Sequence, residues 1–139
     1  MYILFKGIYD TTDLYTDEII SCFRENGVTY HVLNLDTMVE DLTEMMTRIG
    51  GSNDTEYDRI GRTGERIEGV ITFNNIGYNM GNDAGENLWD NLGAVFYDVI
   101  MDHPFHYIDK LKNLPKDSVL LCVDKNHVDF VKRFIPDIK

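Results

Sequence analysis

Residues 94–107, AVFYDVIMDHPFHY, decide how the chain folds. Ala94 to Met101 is an apolar run rich in β-branched and aromatic side chains, which is strand composition. It stops at Asp102-His103-Pro104, because proline has no amide hydrogen to give to a ladder. Upstream, Asn87 to Leu92 (NLWDNL) is a short helix closed by Gly93, and downstream Ile108 to Leu114 is another before Pro115. A strand set between two helices is the building unit of an α/β protein.

The alternation extends in both directions. Tyr2 to Phe5 is a first strand, ending at Lys6-Gly7. Thr11, Thr12 and Asp13 can cap a helix, with Asp17 and Glu18 suited to the positive end of its dipole. Tyr15, Ile19, Ile20 and Phe23 recur at helical spacing, and Gly27 closes the segment. Val28 to Leu35 is a second strand. Thr37 and Glu40 match a capping box ahead of an apolar stripe of Met38, Val39, Leu42, Met45, Met46 and Ile49, ended by Gly50-Gly51. The methionines read as adaptable core filler. Gly69 to Phe73 is a third strand and Ser118 to Val123 a fifth. Asn126 can cap a last helix carrying Val128, Phe130, Val131 and Phe134, stopped by Pro136. Residues 52–68 are polar and weakly patterned; Arg59, Arg62 and Arg66 there suit either a solvated loop or contact with an anion.

The order is β-α-β-α-β-(α)-β-α-β-α. Strands that are apolar throughout are covered on both faces, and strict alternation with right-handed crossovers gives a parallel sheet. The expected fold is a Rossmann-like three-layer α/β/α sandwich with a five-stranded parallel sheet. Strand order 3-2-1-4-5 is favoured, with 2-1-3-4-5 as the alternative.

The chain has 139 residues, the length of one domain, and 43% are apolar, enough to bury a single core. Lys and Arg number 13 against 24 Asp and Glu, for a net charge of −11. Such a chain repels nucleic acid and anionic membrane at long range. Cys22 and Cys122 lack C-x-x-C spacing and sit in apolar segments, so buried free thiols in a reducing compartment are expected. MYILFKGIYD is no signal peptide, and no apolar run approaches the ~20 residues of a membrane span. A soluble cytoplasmic protein is the expectation.

In a parallel sheet, ligands bind beyond the carboxyl ends of the strands. That rule selects Gly7, Tyr9 and Asp10 after strand one. After strand three it selects Asn74, Asn75 and Gly77, and after strand four Asp102, His103 and His106. Asp124, Lys125, Asn126 and His127 follow strand five. A carboxylate beside two imidazoles can build a general base, because the carboxylate orients the ring and raises its basicity. His103 with Asp102 is the catalytic candidate. Asn74, Asn75, Gly77, His106, Asp124 and His127 are candidates for substrate binding. For Asp124 and His127 the favoured reading is the cap of the last helix, with facing the cleft as the alternative. The two imidazoles of H-x-x-H lack a fixed third ligand, so no metal is expected, and no cofactor is expected. G-x-G-x-x-G is absent after strand one, and no P-loop motif occurs.

Taken together, ITFNNIGYNM, LWDNLGAVFYDVIMDHPFHYIDKLKNLP and LLCVDKNHVDFVKRFIPDIK resemble the N-terminal part of bacterial glycosyltransferases of the CgeB-like, spore-maturation type. The similarity covers about residues 69–139 well and the first half loosely. It implies the acceptor-side half of a two-domain GT-B enzyme that moves a sugar from a nucleotide-sugar donor to a hydroxyl. It also implies a C-terminal donor domain, without which the reaction is incomplete. Asn74, Asn75, Asp102, His103 and His106 are then the residues facing the cleft. The other reading is a stand-alone, non-catalytic binding or interaction module of Rossmann-like fold.

Overall fold

In the computed structural model, which describes residues 1–50, 64–81 and 85–138, five strands form an all-parallel sheet and helices alternate with them along the chain. The elements are β1 (Tyr2–Lys6), α1 (Asp10–Glu25), β2 (Tyr30–Asn34), α2 (Met38–Gly50) and β3 (Gly69–Phe73). They continue with α3 (Leu88–Leu92), β4 (Val95–Ile100), α4 (Ile108–Leu111), β5 (Ser118–Cys122) and α5 (Lys125–Phe134). The strand order is 2-1-3-4-5. The favoured order 3-2-1-4-5 is thus replaced by its alternative. Both orders share one pattern of apolar runs and helix caps, so only side-chain packing separates them. The protein is α/β and Rossmann-like. Arg59 and Arg62 lie outside the described residues, and Arg66 is exposed.

Contacts divide the chain into two compact units, Met1–Ile67 and Glu68–Lys139. In the first, β1 and β2 pair in parallel from Tyr2 opposite Tyr30 to Lys6 opposite Asn34. α1 packs on β1 and α2 on β2. Ile3, Leu4, Ile20, Leu33 and Met45 form its buried interior. The β1–α1 turn depends on Gly7, whose φ is +81° and whose missing Cβ would stand 2.4 Å from Asn34 Oδ1. Both Asp13 oxygens accept its amide hydrogen at 3.0 Å. Asp13 therefore holds the turn; the helix begins at Asp10 after Tyr9, with no side-chain cap bond.

Two local expectations are corrected here. Asp41, and not Glu40, partners Thr37: one Asp41 oxygen accepts both the Asn34 amide and the Thr37 hydroxyl at 2.8 Å, across a 3₁₀ turn at Leu35–Thr37. Cys22 is exposed and not buried; it lies two residues past buried Ile20, which puts it on the other side of the helix. His31, in β2, is buried, with Nε2 2.8 Å from the Asp41 carbonyl.

In the second unit β4 is the middle strand. Its register places Val70 opposite Phe96 and Phe96 opposite Ser118. Burial along β4 alternates, with Phe96, Asp98 and Ile100 buried and the residues between them half-buried. Ile100, Leu111, Val131 and Ile135 form one apolar cluster, which ties β4 to α4 and α5. The fully buried Trp89 anchors α3; its indole N–H donates to the Gly77 carbonyl at 2.8 Å. Asn87 caps α3 by accepting the Trp89 amide at 2.9 Å. Among the described residues no helix is long and apolar enough to cross a membrane.

Candidate functional site

β4 has β3 and β5 as its neighbours, so the loops leaving these three carboxyl ends share one rim. All eight candidate residues belong to the unit that starts at Glu68.

The β3 loop begins with two consecutive left-handed residues, Asn74 (φ 51°) and Asn75 (φ 64°). Asparagine tolerates this region because its short polar side chain can bond locally. The two side chains diverge. Asn74 reaches along the rim: its carbonyl oxygen accepts the Met101 amide at 2.9 Å, and its Nδ2 donates to Asp102 Oδ2 at 3.0 Å. Asn75 turns inward and is 2% exposed. Its backbone amide donates to Asp98 Oδ1 at 2.9 Å and its side-chain amide to Asp98 Oδ2. Its own Oδ1 is buried with no hydrogen-bond partner among the described residues. Gly77 contributes its carbonyl to Trp89, a supporting role.

Asp102 is exposed and held from two sides. Besides Asn74, the Tyr107 hydroxyl donates to Oδ2 at 2.9 Å. Oδ1 takes no hydrogen bond from the described residues and is the open acceptor. The Lys110 ammonium lies 5.7 Å from the centre of the Tyr107 ring, within cation–π reach.

His103 is exposed and caps the 3₁₀ turn Pro104–Tyr107, its Nδ1 accepting the Phe105 amide at 3.2 Å. Asp102 and His103 are thus neighbours with different partners, with no bond between them. An Nδ1 that accepts assigns the neutral ring's proton to Nε2, which makes Nε2 a donor. The ring stands edge-on to His127 and to Phe130, with centroids 5.1 and 5.0 Å away. His106 is exposed beside Phe105, itself 62% exposed. Asp124 spends its carboxylate as the cap of α5, accepting the Asn126 amide at 2.6 Å; Asn126 is the donor and not the cap. His127 is half-buried, and its Nδ1 has no partner among the described residues.

Asp98, beneath this rim, is fully buried. Burial pushes its carboxyl up from 3.8 to about 6, against the pull of the two Asn75 bonds and of the Lys110 charge. Burial, and after it the charge of Asp98, also raises the half-buried Cys122 thiol on β5 above its usual range. Asp98 and Tyr107 are the residues that sequence reasoning missed. A lone carboxylate inside the apolar run AVFYDVIM was the available signal for Asp98; nothing local marks Tyr107 as a partner of Asp102.

Two depressions lie elsewhere on this unit. One of about 590 Å³ is lined by Tyr78, Met80, Asn87, Asp90, Lys112 and Lys116. The other, about 400 Å³, includes Leu111, Lys116, Phe134 and Ile138. Asp102, His103 and His106 line neither. Among the described residues no group of three or more His, Cys, Asp or Glu is placed to hold a metal. No family model, curated protein or solved structure matches the chain.

Proposed function

We propose that the chain is the acceptor-side domain of a glycosyltransferase, and that the rim from Asn74 to Tyr107 binds the hydroxyl-bearing acceptor. The observation that carries this is the Asp102 carboxylate: exposed at the tip of β4, its orientation fixed by Asn74 and Tyr107, and one oxygen left open. An oriented carboxylate accepts a hydroxyl hydrogen bond at little entropic cost, and is the group to take the proton as the oxygen bonds to the anomeric carbon and the bond from that carbon to the nucleotide's phosphate oxygen breaks, the nucleotide leaving with the electron pair. In the tautomer that Phe105 imposes, His103 Nε2–H donates to a neighbouring hydroxyl oxygen. Deprotonation then falls to Asp102, and His103 orients the acceptor. His106 and the exposed Phe105 ring extend the same face. The nucleotide sugar would sit on a separate C-terminal donor domain. The compartment is the reducing cytoplasm of a bacterium.

The test is titration of the ¹⁵N-labelled chain with methyl glycosides of glucose, galactose and N-acetylglucosamine. Shift changes confined to residues 74–77 and 101–107, abolished by Asp102→Ala and retained in Lys6→Ala, are expected. Absence of any change with all three glycosides would withdraw the acceptor assignment.

The exposure of Phe105, Leu121, Val123 and Phe134, at 48–62%, favours a second reading, a non-catalytic interaction module. Glycoside shifts that ignore Asp102 and spread over α5 would support it.

A further inference from the structure

We infer that Asp98 is a positioning residue: through Asn75 its buried carboxylate locks the turn after β3, so that the Asn74 amide holds Asp102 at the rim. This rests on the reading of Asp102 as the acceptor-facing carboxylate.

A carboxylate between Phe96 and Ile100 on β4 has no role in apolar packing, and its burial is costly. Its two oxygens are devoted to one residue. Oδ1 takes the Asn75 backbone amide and Oδ2 the Asn75 side-chain amide. Two bonds to one residue fix both the peptide plane and the side-chain direction, which a single bond cannot do. Asn74 and Asn75 are the non-glycine residues of positive φ among those described. Asparagine tolerates this conformation, and at Asn75 the two bonds to Asp98 hold it in one orientation.

The clamp propagates by connectivity. With Asn75 held inward, the preceding residue must direct its side chain along the rim. There Asn74 spans to β4, accepting from Met101 and donating to Asp102. The Asn74 backbone amide adds a third tie, to the Val99 carbonyl at 3.0 Å. Further along the loop, Thr72 Oγ1 donates to the Ile76 carbonyl at 2.9 Å, so the turn closes on its own strand. Asp98 thus reaches Asp102 through two asparagines, with no direct contact between the carboxylates. A ligand-facing carboxylate placed this way needs no adjustment on binding.

Hydrogen exchange and ¹⁵N NMR of the ligand-free chain test the clamp independently of any sugar. In the unaltered protein the Asn75 backbone amide must be protected; exchange at the unprotected rate overturns the inference with no variant made. Asp98→Leu, or Asp98→Ala should Leu not be accommodated, removes the acceptor. The expected result is Asn75 exchange faster by about tenfold or more, with the Asn74 side-chain amide signals moving to the position of solvated amides. Asp98→Asn is the rescue. Its Oδ1 still accepts the Asn75 amide, and its Nδ2 can donate to the orphaned Asn75 Oδ1 once that amide turns over. Asn74 signals should then stay in place. A folded Asp98→Leu or Asp98→Ala protein with unchanged Asn74 signals overturns the clamp. Failure of every glycoside to bind, with the Asn74 signals behaving as expected, would remove the acceptor reading and leave the clamp standing.

Discussion

Asp98 concentrates the chemistry of this protein at one buried atom pair. Its folded-state carboxyl titrates at about 6 against 3.8 for the free group. Between those values the folded protein holds a proton that the unfolded chain releases, so folding stability falls as pH rises through the window. The contribution is fully present below pH 3.8 and lost above about 6. A shift of this size corresponds to on the order of 3 kcal/mol. Asp98→Asn lacks the titrating group and should lack the slope. Urea unfolding at pH 4 and pH 7 should therefore show the unaltered chain losing stability relative to Asp98→Asn by that order; an equal difference at both pH values would refute the buried-carboxyl account. The residue was visible in the sequence as an acid in an apolar run, but its partner was not. Asn75 and Asp98 stand 23 positions apart, and nothing near Asn75 distinguishes it from Asn74.

At the scale of elements, strand identity was legible and helix caps were legible only approximately. Apolar runs marked all five strands, because side-chain composition acts locally. The caps were legible only in part: of Asn126 and Asp124, both of which the sequence offered for the last helix, Asp124 takes the position, and Asp41 replaces Glu40 as the partner of Thr37. Several Asp, Asn and Thr side chains compete at each helix start, and backbone geometry decides among them. The Asp124 cap has a measurable weight. Asp124→Ala should destabilise the chain by about 1 kcal/mol, read from urea midpoints. It should leave glycoside shifts at Asp102–Tyr107 intact, since its carboxylate already serves the Asn126 amide. Loss of those shifts in a stable Asp124→Ala protein would place Asp124 in the ligand contact instead.

Over the whole molecule, charge is unevenly spread. Residues 68–109 contain seven acidic residues and no Lys or Arg, whereas residues 110–139 carry seven Lys and Arg against four acidic residues. The net charge of −11 opposes compaction through self-repulsion, which salt screens. Raising NaCl from about 0.05 to about 0.5 M, where the Debye length falls well below 10 Å, should raise the Tm by a few degrees. A Tm that falls instead would mean that attractive ion pairs such as Lys6–Asp17 and Arg48–Glu65 outweigh the repulsion. The sequence by itself determined the α/β class, the alternation of elements and which loops carry the polar residues. These depend on composition and periodicity within a few residues of each position. Only the tertiary structure decided that the strands run 2-1-3-4-5, and that Asn75 turns in to Asp98 while Asn74 turns out to Asp102. Those outcomes are set by packing and hydrogen bonds between segments far apart in the chain, and a local pattern carries no record of its distant partner.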